Sequence, residues 1–223
     1  MESQTPDPRP TCIAYIDGYN WYHAVFKHRP EWKWLNLHAF FQALRPDDNM
    51  VAVKLFSAMS VDAGAYSRQK RYFDALRTVP KTEIILGVFQ ERTVTCRGDC
   101  RLQYMVTEEK KTDVNLAIEI INDAINQKCD RMCIASGDSD IQPAVEWVVK
   151  NHPKIKITVY IPALPSEQNE RGTLYFKNKR LNVECMFMPL QGIAENQLPD
   201  KIKLGGGSLS LRPYSWNASE NPS

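Results

Sequence analysis

Six short apolar runs recur along the chain: TCIAYID at 11–17, NMVAVKLFSAM at 49–59, TEIILGVF at 82–89, DRMCIAS at 130–136, KIKITVYIP at 154–162 and NVECMFM at 182–188. Runs this short and this evenly apolar suit strands covered on both faces, as in a parallel sheet. Between them lie stretches with apolar residues at helical spacing: LHAFFQAL at 37–44, YSRQKRYFDALRTV at 66–79, DVNLAIEIINDAIN at 113–126, IQPAVEWVVKN at 141–151 and, with weaker patterning, EQNERGTLYFKN at 167–178. Strand and helix in turn predict an α/β fold with right-handed crossovers.

The chain has 223 residues, 43% of them hydrophobic and 24% charged, so it reads as one domain with a sizeable core. Residues 1–10 and everything from 191 onward lack a packable pattern and read as flexible tails around a domain at 11–190. One segment, QERTVTCRGDCRLQYMVTEEKK, breaks the alternation; its apolar and polar residues alternate about an RGD turn, which predicts a hairpin or ordered loop inserted at 90–108. No apolar run approaches the roughly 18 residues of a membrane span, and the N-terminus lacks the features of a signal peptide. A cytoplasmic protein without membrane contact is the expectation. Cys12, Cys133 and Cys185 sit in apolar runs and read as reduced core residues. The C-x3-C pairs Cys96/Cys100 and Cys129/Cys133 lack nearby partners for zinc, and four scattered histidines give no nucleophilic triad. Neither a dinucleotide GxGxxG turn nor a phosphate-binding GxxxxGK loop is present. A net charge of +2 leaves the partner open.

The carboxylates are more informative. Asp17 ends the first apolar run and precedes Gly18, while Asp138 stands just past the fourth. In open α/β sheets the C-terminal strand ends face the ligand crevice, so both aspartates, with Asn20 and Ser136, belong on one rim. Asp113 opens the helix before the fourth run, and Asp140 follows Asp138 by two residues. Each has a plainer role available: Asp17 as a turn residue, Asp113 as a first-turn carboxylate favoured by the helix dipole, Asp140 as a helix N-cap. Convergence would change the balance, because carboxylates about 5 Å apart repel by roughly 3 kcal/mol at an effective dielectric near 20. Such a cluster needs a proton or a cation, and all-oxygen donors suit Mg2+ or Mn2+ better than zinc. Sites of this kind work on phosphate esters.

Three stretches, YIDGYNWYHA at 15–24, EEKKTDVNLAIEII at 108–121 and IASGDSDIQPAVEWV at 134–148, together resemble the NYN domain family of the PIN-like nuclease superfamily. They occur in the family's order, and the likeness covers most of residues 11–190. The resemblance implies a doubly wound, PIN-like, three-layer fold with a central, mostly parallel sheet. It further implies a Mg2+- or Mn2+-dependent ribonuclease acting on single-stranded or structured RNA. Asp17, Asp113 and Asp138 match the family's metal-binding aspartates, with Asp140 as a fourth acidic member, Asn20 as the polar partner after the first, and Ser136 as the small hydroxyl residue before the last pair. The implied mechanism is hydrolysis by a metal-activated water, without a covalent enzyme intermediate. The KKTD sequence and the cysteine-bearing insertion depart from the commonest pattern and leave substrate preference open.

RNA also calls for cations and flat surfaces. Lys110 and Lys111 flank Asp113 and are the best candidates for phosphate contacts. Arg92, Arg97, Arg101, Arg68, Lys70, Arg71, Lys177, Lys179 and Arg180 read individually as solvated charges. Tyr19 is the candidate stacking residue at the rim, whereas Trp21, Tyr22, Trp32 and Trp34 read first as core. A dehalogenase-like phosphatase would need a second aspartate two residues after Asp17, where Tyr19 stands. The competing class is a catalytically inactive RNA-binding or scaffold module of the same fold. Apolar helix faces leave room for a homo-oligomer.

Overall fold

The computed structural model describes residues 7–217 apart from 97, 99 and 168–182. Most of the weakly patterned 167–178 stretch, with Arg97, Lys177, Lys179 and Arg180, therefore lies outside the described residues. The elements run β1 (Thr11–Asp17), α1 (Gly18–Trp21), α2 (Leu37–Leu44), β2 (Asn49–Ser57), α3 (Ala63–Leu76), β3 (Thr82–Leu86), β4 (Val88–Thr95), β5 (Gln103–Lys110), α4 (Thr112–Ile125), β6 (Arg131–Ala135), α5 (Gln142–Asn151), β7 (Lys156–Ile161), β8 (Val183–Phe187), β9 (Lys201–Lys203) and β10 (Leu209–Leu211). A π turn, Tyr22–Phe26, continues α1.

Six strands form one sheet in the order β3-β2-β1-β6-β7-β8, every neighbouring pair parallel. The chain winds outward from β1 to β3, returns to place β6 on the other side of β1, and winds outward again. The order thus reverses between β1 and β6, and a crevice opens at the C-terminal ends of those two strands. Alternation along β1 explains the layers. Cys12, Ala14 and Ile16 join a core with Trp21, Phe40, Phe41 and Leu76, while Ile13 and Tyr15 join a second core with Leu116, Ile120, Val145 and Val148. One face of the sheet is covered by α1 to α3 and the other by α4 and α5, which is why all six runs are apolar.

The interrupting segment is a β-hairpin, β4 with β5, paired from Val88↔Lys110 to Thr95↔Gln103 and so two residues longer at each end than the 90–108 expected. Residues 191–217 do not form the flexible tail expected of them. Ile193, Leu198 and Trp216 are buried in the first core, Trp34 Nε1 donates to the Pro199 carbonyl at 2.9 Å, and Ser210 Oγ donates to the Arg71 carbonyl at 2.7 Å. The apolar anchors of this segment are too widely spaced to show a period, so no sequence pattern reveals them. No helix among the described residues is long and apolar enough to cross a membrane.

One charge sits inside the fold. Lys54, on β2 and 3% exposed, pairs with Asp123 and Glu119 at 2.6 Å each, and Tyr15 donates its hydroxyl to Asp123 at 2.8 Å.

Candidate active site

The rim at the β1/β6 reversal is stitched by short polar bonds. The Asn20 amide N–H donates to Asp17 Oδ1 at 2.9 Å, and Ser136 Oγ donates to Asp17 Oδ2 at 2.9 Å. Ser136 Oγ in turn accepts from the Asp138 N–H at 3.0 Å, and Asn20 Oδ1 accepts from the Gly137 N–H at 3.1 Å. Parallel pairing of Ile16 with Ala135 sets this meeting, since the next residue on each strand is Asp17 and Ser136. Asp17, Asn20, Ser136 and Asp138 are therefore one connected unit, as their positions at two strand ends predicted. Gly18 makes the turn possible: a Cβ there would lie 2.8 Å from the Phe56 carbonyl oxygen. Gly18→Ala is expected to cost about 1–3 kcal/mol through that backbone clash, read as a lower urea midpoint with an unchanged slope.

Asp17 is 3% exposed, and burial raises its carboxyl to about 6 against the ordinary 3.8. The Asn20 and Ser136 hydrogen bonds oppose that rise, and the negative charges of Asp113 and Asp138 add to it. Asp113 stands in the first turn of α4 with its carboxyl also pushed up, first by partial desolvation and then by Asp138 and Asp140. Across the crevice, then, Asp113 and Asp138 act on Asp17, and Asp138 and Asp140 act on Asp113. Asp138 accepts from the Asp140 N–H at 2.9 Å and caps the short 3-10 turn Ser139–Ile141. The capping role considered for Asp140 is therefore taken by Asp138, and the Asp140 side chain makes no hydrogen bond or ion pair among the described residues.

A further acid was missed by sequence reasoning. Glu109, at the end of β5, is pushed up by burial and by Asp17 and Asp113, and it accepts from Thr112 Oγ1 at 2.5 Å. It lies inside the EEKKTD stretch, but only the hairpin's return to the sheet edge shows that Glu109 rather than Glu108 faces the rim. Glu108 instead binds Arg92 and holds Lys110 at 2.8 Å. Lys110 is thus engaged on the hairpin. Lys111 is exposed at the left-handed corner, φ 74°, that starts α4. Tyr19 is 48% exposed beside the rim, and Trp21 and Trp34 are core. Tyr22 is 41% exposed, so the core reading of it does not hold: on the π turn it faces outward.

No lysine or arginine among the described residues forms an ion pair with Asp17, Asp113, Asp138 or Asp140. No three His, Cys, Asp or Glu side chains among them converge tightly enough to hold a metal ion. Mg2+ keeps several of its waters and is bound through one or two carboxylates, so the donor chemistry fits a hydrated divalent ion held by a pair of these groups.

The NYN domain family model matches residues 13–173. The chain is 27% identical to 6-hydroxy-3-succinoylpyridine 3-monooxygenase HspA of Pseudomonas putida, across 91% of this chain and 74% of that one. A crystal structure of a protein of unknown function from Vibrio parahaemolyticus is similar with a TM-score of 0.47 and 20% identity, over 71% of this chain and 85% of that one.

Proposed function

The chain belongs to the NYN domain family, of the PIN-like nuclease superfamily, and on that basis we propose that it is a ribonuclease that uses Mg2+ or Mn2+ to hydrolyse RNA phosphodiester bonds. The observation that carries this reading is the acidic rim at the sheet's reversal point: the charges of Asp113 and Asp138 add to the raised proton affinity of Asp17, those of Asp138 and Asp140 to that of Asp113, and no lysine or arginine among the described residues forms an ion pair with any of them. A divalent ion bound there supplies neutralisation of the phosphate and acidification of a water. Asp17 and Asp138 are the pair suited to hold it, because hydrogen bonds to Ser136, Asn20 and Asp140 fix both carboxylates before substrate arrives. Asp113, with its raised proton affinity and free side chain, is placed to take a proton from the attacking water. Lys111 and Tyr19 offer a phosphate contact and a stacking face at the exposed margin.

The Pseudomonas putida relative is named a monooxygenase. At 27% identity the relative's name does not by itself assign that chemistry to this chain, which has no glycine-rich dinucleotide turn. End-labelled single-stranded and hairpin RNA, incubated with the protein and Mn2+, Mg2+ or EDTA, tests the ribonuclease. Cleavage that requires the ion and disappears in a folded Asp113→Asn variant is the expected result. RNA bound equally by both proteins and cut by neither would replace the enzyme with a binding module.

A further inference from the structure

A second feature opens on the same rim and has the opposite charge. A cavity of about 330 Å3 lies between α1 with its π turn, the end of β2, and α3, and Phe89 and Trp216 close it. Gly18 and Tyr19 line its edge, so it adjoins the strand end that carries Asp17. Its size is at the lower end for small-molecule pockets, and its walls are mainly aromatic and aliphatic, as such pockets require.

Two cations stand in this apolar setting, Lys33 and Arg68. The Lys33 ammonium lies over two rings, 5.0 Å from the centroid of Tyr22 and 5.9 Å from that of Trp216. Glu31, the nearest acid in sequence, is 3.6 Å from Arg29 instead. Neither Lys33 nor Arg68 forms an ion pair among the described residues. The two repel each other: burial, then Arg68, lowers the proton affinity of Lys33, with Glu31 opposing the shift. Two cations without an ion pair among the described residues, facing an aromatic-walled cavity, are arranged for an anion that arrives with a ring.

The remaining polar groups say which ring. Gln69 is the cavity's one amide, and both its ends are engaged: Oε1 accepts from the Ser60 N–H at 2.8 Å, and Nε2 donates to the Ala58 carbonyl at 2.9 Å. The Tyr72 hydroxyl donates to the Leu35 carbonyl at 2.8 Å. With these groups committed to the fold, no side-chain amide is left to pair both a donor and an acceptor of a nucleobase edge, and His23, Ser57, Ser60 and the unpartnered Trp21 Nε1 are the single polar groups that remain for a smaller ligand. We propose that this cavity is a binding site for a small planar aromatic compound carrying a carboxylate, with the ring between the aromatic walls and the carboxylate on Lys33 and Arg68. This inference stands apart from the ribonuclease reading and holds or fails without it.

Isothermal titration and tryptophan fluorescence of the whole chain test it, with phenylacetate, its neutral analogue phenylacetamide and uridine monophosphate as probes. Phenylacetate is expected to bind saturably and alter the fluorescence through Trp216. Phenylacetamide is expected to bind about tenfold or more weakly, as are Lys33→Met and Arg68→Met towards phenylacetate, for loss of a charge-assisted contact. Methionine keeps the apolar stem, and melting at the wild-type temperature separates lost contact from lost fold. Absence of saturable phenylacetate binding would overturn the proposal, as would an affinity unchanged in both variants. Tighter binding of uridine monophosphate through the same two residues would overturn the ligand class and make the cavity a nucleotide site.

Discussion

Asp17→Asn is expected to make the protein more stable and less active at once. In the folded chain the Asp17 carboxyl is raised to about 6, chiefly by burial, against 3.8 when solvated. A rise of that size corresponds to about 3 kcal/mol that the ionised group takes from stability once the pH exceeds its folded value. The sign follows from proton counting: between about pH 4 and 6 the folded state holds the proton more tightly, so wild-type stability falls as pH rises through that window. Below it both states are protonated and the difference closes. Asparagine keeps the geometry, since its carbonyl accepts from the Asn20 N–H and its amide donates to Ser136 Oγ, across the same two contacts that Asp17 makes now. Urea titrations near pH 4 and pH 8 should therefore show the variant gaining about 2–3 kcal/mol only at the higher value. Mg2+ or Mn2+ at about a hundredfold its Kd should raise the wild type by about 2.7 kcal/mol and leave the variant nearly unmoved. RNA cleavage should fall by about two to three orders of magnitude, the usual loss when a preorganised electrostatic group is removed. A variant weaker than wild type at both pH values would show Asp17 to be a structural cap, and the ion dependence would then have no basis in this residue.

Most of this arrangement is legible in the sequence. Apolar runs covered on both faces predict parallel strands, and all six sit in one parallel sheet because helices occupy both of its sides. Asp17 and Ser136 are foreseeable as neighbours, since each stands at the C-terminal end of a strand flanking the reversal point. What escapes has a common physical origin in contacts without period. Ile193, Leu198 and Trp216 each plug the first core singly from an irregular segment, which no window of helical or strand spacing can detect. Glu109 escapes because the phase of the hairpin decides whether it or Glu108 faces the rim, and a one-residue slip would exchange them. Lys33 and Arg68 lie far apart in sequence and meet only where the π turn, α3 and the C-terminal segment enclose one cavity.

The largest stability loss is expected from a residue remote from both sites. Asp123, on α4 and fully buried, receives hydrogen bonds from Tyr15 at 2.8 Å and Lys54 at 2.6 Å, with Lys128 at 3.0 Å. Burial alone would push its carboxyl up, but the bonds from Lys54, Lys128 and Tyr15 outweigh burial and hold it below the ordinary value. Asp123→Ala removes the acceptor that all three partners share and leaves the Lys54 ammonium, 3% exposed on β2, with Glu119 alone. Removing one partner of a buried charge costs about 3–5 kcal/mol, and with Glu119 still on the ammonium the loss is expected at the lower end of that range. Replacing both members, Lys54→Met with Asp123→Leu, removes the charge and its partner together, and such swaps are often neutral or stabilising. Urea denaturation at neutral pH should thus find the double variant more stable than Asp123→Ala. The depressed carboxyl also fixes the acid limb: stability from Asp123 is present above about pH 4 and is lost as pH falls below it. A double variant as unstable as Asp123→Ala would locate the contribution in Tyr15 and the packing of α4 on the sheet, not in the ion pair.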